Sequence, residues 1–108
     1  MTRGSIYWVS LEDCTPPEFG KTRLALVLSN TDANLTLGTV VAVPISTRAG
    51  VIWPLRLAIP LIRGMKPGFL VLAGIRQISK KRLHDEVVMV PDSFLTEVET
   101  ALEAYLGE

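Results

Sequence analysis

Three short apolar runs, in fixed order within the first 47 residues, constrain the fold most. They read Arg3-Gly4-Ser5-Ile6-Tyr7-Trp8-Val9-Ser10-Leu11, Thr22-Arg23-Leu24-Ala25-Leu26-Val27-Leu28-Ser29-Asn30 and Gly38-Thr39-Val40-Val41-Ala42-Val43-Pro44-Ile45-Ser46-Thr47. Residues 6–11 read as a first strand. Residues 24–29 are almost continuously apolar, the pattern of a strand buried on both faces. Residues 39–45 are β-branched and strand-like. Between the runs, residues 11–21 form a loop marked by Glu12-Asp13, Pro16-Pro17 and Gly20, and residues 30–38 a polar turn segment. This order sets Arg23 at a strand start and Ser46 and Thr47 at a strand end. An arginine and a hydroxyl converging beside a sheet suit the holding of a phosphate.

The rest of the chain continues the pattern. A loop at 48–51 leads to a strand at 52–58, where Pro54 implies an edge or bulge. A basic, Gly- and Pro-punctuated connection spans 60–68. A strand begins at 69–72 and extends toward 75 or 78. A short turn or helix covers 80–83, and a last strand 86–90. Phe94, Leu95, Val98, Ala101, Leu102, Tyr105 and Leu106 recur at helical spacing and form one apolar stripe, a core or dimer contact. Asp92 after Pro91 is the expected N-cap and Gly107 the stop. Trp8, within the first strand, is expected in the core. The 108 residues read as a single domain, 1–108, of mainly β class with a C-terminal helix. The expected architecture is a compact, partly open β-barrel closed at one end by the helix.

Charge is segregated although the net charge is zero. Residues 33–84 hold no carboxylate but carry Arg48, Arg56, Arg63, Lys66, Arg76, Lys80, Lys81 and Arg82. Beyond them come Asp85, Glu86, Asp92, Glu97, Glu99, Glu103 and Glu108, with no Lys or Arg. A basic surface suits an anionic partner such as nucleic acid. The competing reading is that the acidic segment packs beside the basic one and neutralises it. No apolar run approaches a membrane span, and the N-terminal residues lack a signal-peptide pattern. Cys14 stands alone and cannot form an internal disulfide, so a cytoplasmic protein is expected. His84 is the one histidine and reads as a surface residue. Without a second His or a Cys/His cluster there is no zinc ligand set, and no Gly-rich loop matches a nucleotide-binding fingerprint. Neither metal nor cofactor is expected.

The three runs, Glu18 followed by Arg23, and Ile75-Arg76-Gln77-Ile78-Ser79-Lys80-Lys81-Arg82-Leu83 together resemble the MazF/PemK-like toxin family across essentially the whole chain. The resemblance implies an SH3-like β-barrel of the CcdB/PemK kind with a C-terminal helix, and a homodimer. It implies a toxin of a type II toxin–antitoxin pair that cuts single-stranded RNA without a metal. The expected partner is a small acidic antitoxin whose tail occupies the RNA groove. The chain has Arg23-Leu24 where the family usually has Arg-Pro, and Glu18-Phe19 where it usually has Glu-Gln. Ala73-Gly74 replaces a common acidic-Gln pair.

Metal-free RNA cleavage needs a base for the 2′-hydroxyl, a cation for the phosphoryl oxygens and a proton for the departing 5′-oxygen. Arg23 is the candidate cation, against a structural ion pair with Glu18 or Asp32. Ser46 aligns with the family's hydroxyl position and would bond the scissile phosphate, with Thr47 as the alternative and strand-end capping as the competing role. Glu18 is the candidate general base. Trp53 and Phe19 are candidates for base stacking, and Arg48, Arg56 and Arg76 for backbone contacts to RNA. Three other readings stay open: a relative that binds RNA or antitoxin without cutting, a gyrase-poisoning toxin of the CcdB kind, and an SH3-like adaptor. The ending Tyr105-Leu106-Gly107-Glu108 lacks the Trp-Gly-Ile of the CcdB kind.

Overall fold

The computed structural model describes residues 2–10, 22–48 and 50–107. Cys14, Glu18 and Phe19 lie outside the described residues. Among the described residues, seven strands form one antiparallel sheet: β1 (Ser5–Ser10), β2 (Thr22–Val27), β3 (Thr39–Ser46), β4 (Arg56–Ala58), β5 (Phe69–Val71), β6 (Arg76–Ser79) and β7 (Leu83–Met89). A six-residue helix α1 (Thr31–Thr36) links β2 to β3, and α2 (Asp92–Leu106) ends the chain. The strand order is β4-β5-β3-β2-β1-β7, with β6 also on β3. The expected mainly-β class with a C-terminal helix is the one observed.

β3 organises the sheet because it is the longest strand and pairs with three others. Thr39–Ala42 pair with β6, Ala42–Pro44 with β2, and Ile45 and Ser46 with β5. Its side chains alternate between two cores, as the period of a strand requires. Val43 and Ile45 join Ile6, Leu26, Leu28, Leu70 and Leu72 under α2, whose Phe94, Val98 and Ala101 close that face. Val40 and Ala42 join Val9, Ala25, Val27, Ile78 and Leu83 in a second core on the opposite face. Thus β2 is buried on both faces, as its unbroken apolar run predicts.

Several local expectations are corrected. Residues 30–38 hold a helix, not merely a turn. Asn30 caps it, its side chain accepting from the N–H of Asp32 (2.8 Å) and Ala33 (3.4 Å), and Asp32 sits favourably in the first turn. Residues 52–58 are not one strand. Ile52 and Arg56 exchange backbone hydrogen bonds around a tight turn, and β4 proper begins at Arg56. Residues 69–78 are two strands separated by a 3₁₀ turn at Leu72–Gly74. The N-cap of α2 is Pro91, and Asp92 is the first helical residue. Gly107 does end α2, but by close approach: a Cβ there would lie 2.7 Å from the Glu103 carbonyl oxygen, while φ is an ordinary −83°. Trp8 is 42% exposed. It pairs with the only partly buried Leu24, near the end of the β1–β2 ribbon.

Candidate functional site

The sheet's second face opens, at one end, into a groove of about 310 Å³ lined by Val9, Arg23, Leu24, Ala25, Pro44, Gly74, Arg76 and Ile78. The strand registers explain why these residues meet. Val9 lies opposite Arg23, Ala25 opposite Pro44, Ala42 opposite Arg76 and Val40 opposite Ile78. Directly opposed residues share a face, so Arg23 and Arg76 project on the side of Ala25 and Pro44. The floor is apolar, and among the described residues the two guanidinium groups are its only charges. Neither arginine forms an ion pair among the described residues. The structural ion pair of Arg23 with Asp32 is therefore not observed.

Ser46 and Arg23 approach the same region. The β2–β3 pairing ends at Ala25↔Pro44, and Arg23 and Ser46 are the next residues on that face of their two strands. The Ser46 Oγ accepts a hydrogen bond from the Arg48 N–H (3.1 Å). The hydroxyl thus caps the strand end and still has its own proton to donate. Thr47 and Arg48 are exposed in the bend that follows. Trp53 is 52% exposed in the turn before β4, outside the groove lining, and Arg56 opens β4. Glu18 and Phe19 fall outside the described residues.

The acidic C-terminal segment does not cover this groove. Helix α2 packs on the other face of the sheet, with Glu97, Glu99 and Glu103 exposed. The Arg3–Glu99 ion pair (2.7 Å) draws on Arg3, outside the basic stretch. The α2 carboxylates thus stand on the side of the sheet away from the Arg23 and Arg76 guanidinium groups. On the groove's own face, Tyr7 lies beyond Ala25. Burial and then the Glu86 carboxylate push its phenol above the ordinary 10.0, so it stays a neutral donor at physiological pH. A second depression, about 410 Å³, is lined by Thr100, Glu103, Ala104 and Gly107. It is shallow and carries only a carboxylate, which repels an anion.

His84 is exposed on β7 and outside the groove. No cluster of His, Cys, Asp or Glu able to hold a metal occurs among the described residues. No helix of the described residues is long and apolar enough to cross a membrane. Sequence reasoning missed the groove floor. Val9, Ala25, Pro44 and Ile78 read only as strand residues, and the strand registers are what bring them together beneath Arg23 and Arg76. Gly74 was visible as a departure, but its contact with Pro44 was not.

Comparison with protein families matches residues 2–106 to the PemK-like, MazF-like toxin of type II toxin–antitoxin systems. Among solved structures, the chain is similar to an endoribonuclease from a mycobacterial species in complex with its cognate antitoxin. The identity is 25%, the TM-score 0.83, and the match covers 99% of this chain and 95% of that one. It is similar to MazF of Deinococcus radiodurans, with 28% identity, a TM-score of 0.79 and coverage of 100% and 97%. It is also similar to a MazE–MazF structure from that organism, with 27% identity, a TM-score of 0.85 and coverage of 99% and 96%. No curated protein sequence matches the chain.

Proposed function

The chain belongs to the PemK-like, MazF-like toxins of type II toxin–antitoxin systems, and from that premise we propose that it is an endoribonuclease cutting single-stranded RNA in the Arg23–Arg76 groove. The observation that carries this reading is the pair of guanidinium groups over an apolar floor, lined by no carboxylate among the described residues. Such a groove attracts a polyanion and strengthens each hydrogen bond to phosphate by keeping water off its walls.

In the proposed reaction the substrate's 2′-oxygen attacks the adjacent phosphorus. A 2′-O–P bond forms, the P–O5′ bond breaks, and a 2′,3′-cyclic phosphate and a 5′-hydroxyl result. The Glu18 carboxylate takes the 2′-hydroxyl proton, and the departing 5′-oxygen takes its proton from solvent water. The Arg23 guanidinium donates to the phosphoryl oxygens as negative charge builds there. Ser46 donates its free hydroxyl proton to the same phosphate. Arg48, Arg56 and Arg76 hold the flanking strand by charge, while Trp53 and Phe19 offer rings to unstacked bases. The arginines supply the cation, so the step proceeds without a metal. DNA, lacking the 2′-hydroxyl, is bound but not cut. The proposed assembly is a cytoplasmic homodimer, silenced by a small acidic antitoxin that competes with RNA for the groove.

The test is incubation of a long single-stranded RNA with the protein in a chelator, followed by end analysis. Cyclic-phosphate and 5′-hydroxyl ends at discrete sites, abolished by a single 2′-deoxy substitution at the cut nucleotide, are expected. A second reading has its own support: Gly74 leaves the groove wall without a polar side chain. On that reading the protein binds RNA or antitoxin without cleavage, and folded protein leaves every RNA intact.

A further inference from the structure

The two arginines enter the groove from different ends. Arg76 on β6 lies opposite Ala42, whereas Arg23 on β2 stands at the level of Ser46, with Pro44 between them. Their backbones are two strand spacings apart across the sheet, about 10 Å, and four residues apart along β3, roughly 13 Å. Long side chains reaching inward over that span fit two different parts of one nucleotide. Ser46 provides a second phosphate donor at Arg23's end. At Arg76's end the neighbours are Gly74 and Ile78, and neither offers a polar side chain.

Resting on the RNA-cleavage reading above, we propose that Arg76 reads a guanine base in this groove, while Arg23 holds the phosphate. Among the described residues, the side chains lining the groove offer hydrogen-bond donors only, in the forked geometry of a guanidinium, above an apolar floor of Ala25, Pro44 and Ile78. A fork requires two adjacent acceptors. Guanine presents O6 and N7 side by side, the commonest specific partner of arginine. Adenine sets an amino donor beside N7 and would point it at the guanidinium. Uracil has no adjacent acceptor pair. Cytosine offers O2 and N3, but its single ring reaches less far from the phosphate and covers less of the floor. Gly74 makes the site possible, because a side chain there would enter the space between Pro44 and the base.

The experiment is a binding titration of the intact protein with single-stranded RNA pentamers that differ only at the central nucleotide. That nucleotide is 2′-deoxy, so binding is measured without cutting. The guanine pentamer binds about tenfold or more tighter than the adenine, cytosine and uracil ones. Hypoxanthine, which keeps O6 and N7, matches guanine, and 7-deazaguanine, which lacks N7, loses most of the advantage. Arg76→Ala collapses the four affinities to within about twofold, and Arg76→Lys leaves an intermediate preference, since a point charge replaces the fork. Arg23→Ala weakens all four equally. Equal or tighter binding of another base, a guanine preference that survives Arg76→Ala, or no binding of any pentamer overturns the proposal. The wild-type base series decides the matter even if a variant fails to fold. A guanine preference with no cleavage of the all-ribose pentamer upholds the proposal and removes the endoribonuclease reading instead.

Discussion

A Cβ added to Gly74 would stand 2.8 Å from Cγ and 3.3 Å from Cδ of Pro44. The wall and floor of the groove are therefore in contact through a glycine and a proline ring, with no room for a methyl group between them. Gly74→Ala must displace Pro44 or the 3₁₀ turn. Overpacking of this kind costs about 1–3 kcal/mol. Urea unfolding should show that loss, and RNA affinity should fall with it. Ala73→Ser, at an exposed neighbour outside the groove, should change stability by no more than about 0.5 kcal/mol and leave RNA affinity unchanged.

Ser46 serves the fold through its acceptor and the phosphate through its donor. Ser46→Ala removes both, and a stability loss of about 0.5–1.5 kcal/mol is expected from the broken bond to the Arg48 N–H. Ser46→Thr keeps the hydroxyl and should restore stability and most of the cleavage rate. Equal cleavage by all three proteins, measured under single-turnover conditions, would remove Ser46 from the chemistry and leave it a strand-end cap.

Arg3 ties three elements together. Its N–H donates to the Thr31 Oγ1 (3.1 Å), its Nε to the Leu28 carbonyl (3.0 Å) and its terminal nitrogen to Glu99 on α2. The ion pair is well exposed, so Glu99→Gln should cost at most about 1 kcal/mol, less in high salt. Arg3→Ala loses the bond to Leu28 as well and should cost more, with a part that salt does not screen. Thermal melts at low and high salt separate the two contributions.

The Tyr7 phenol gives an alkaline signature. Burial first, and the Glu86 carboxylate second, raise its pKa in the folded chain above the ordinary 10.0. The folded state thus holds this proton more tightly than the unfolded state does. Stability is intact below about pH 10 and declines as pH rises from there through the folded value. The difference in unfolding free energy between wild type and Tyr7→Phe, followed from pH 9 to 11, should show this slope in wild type only. A parallel course for the two proteins would contradict it.

Much of this molecule was legible in its residues because its signals were local. The unbroken apolar run of β2 demanded burial on both faces, and Ala25 and Val27 face one core while Leu26 and Leu28 face the other. The stripe of α2 predicted the buried side that Phe94, Val98 and Ala101 form, whereas charge segregation left open whether the acidic segment covers the basic one. What escaped depends on three-dimensional neighbours. Trp8 reads as core because it sits within the first strand, yet it is 42% exposed opposite the partly buried Leu24. The helix at Thr31–Thr36 was hidden because Asn30 and Asp32 signal turns and helix starts through the same side-chain chemistry. Arg76 read as one more basic residue. Only the β3–β6 register brings it to the groove that Arg23 enters from the other side.

The most direct measurement is the single-turnover cleavage rate of one single-stranded RNA, in chelator, by wild type and by Arg23→Ala with its fold verified. The account predicts discrete cleavage by wild type and a rate about 10²–10³-fold lower in the variant, the scale expected when a donor to developing charge is removed. Arg23→Lys should recover only part of that loss. Cleavage at an undiminished rate by Arg23→Ala would contradict the account, because the reaction would then take place somewhere other than this groove.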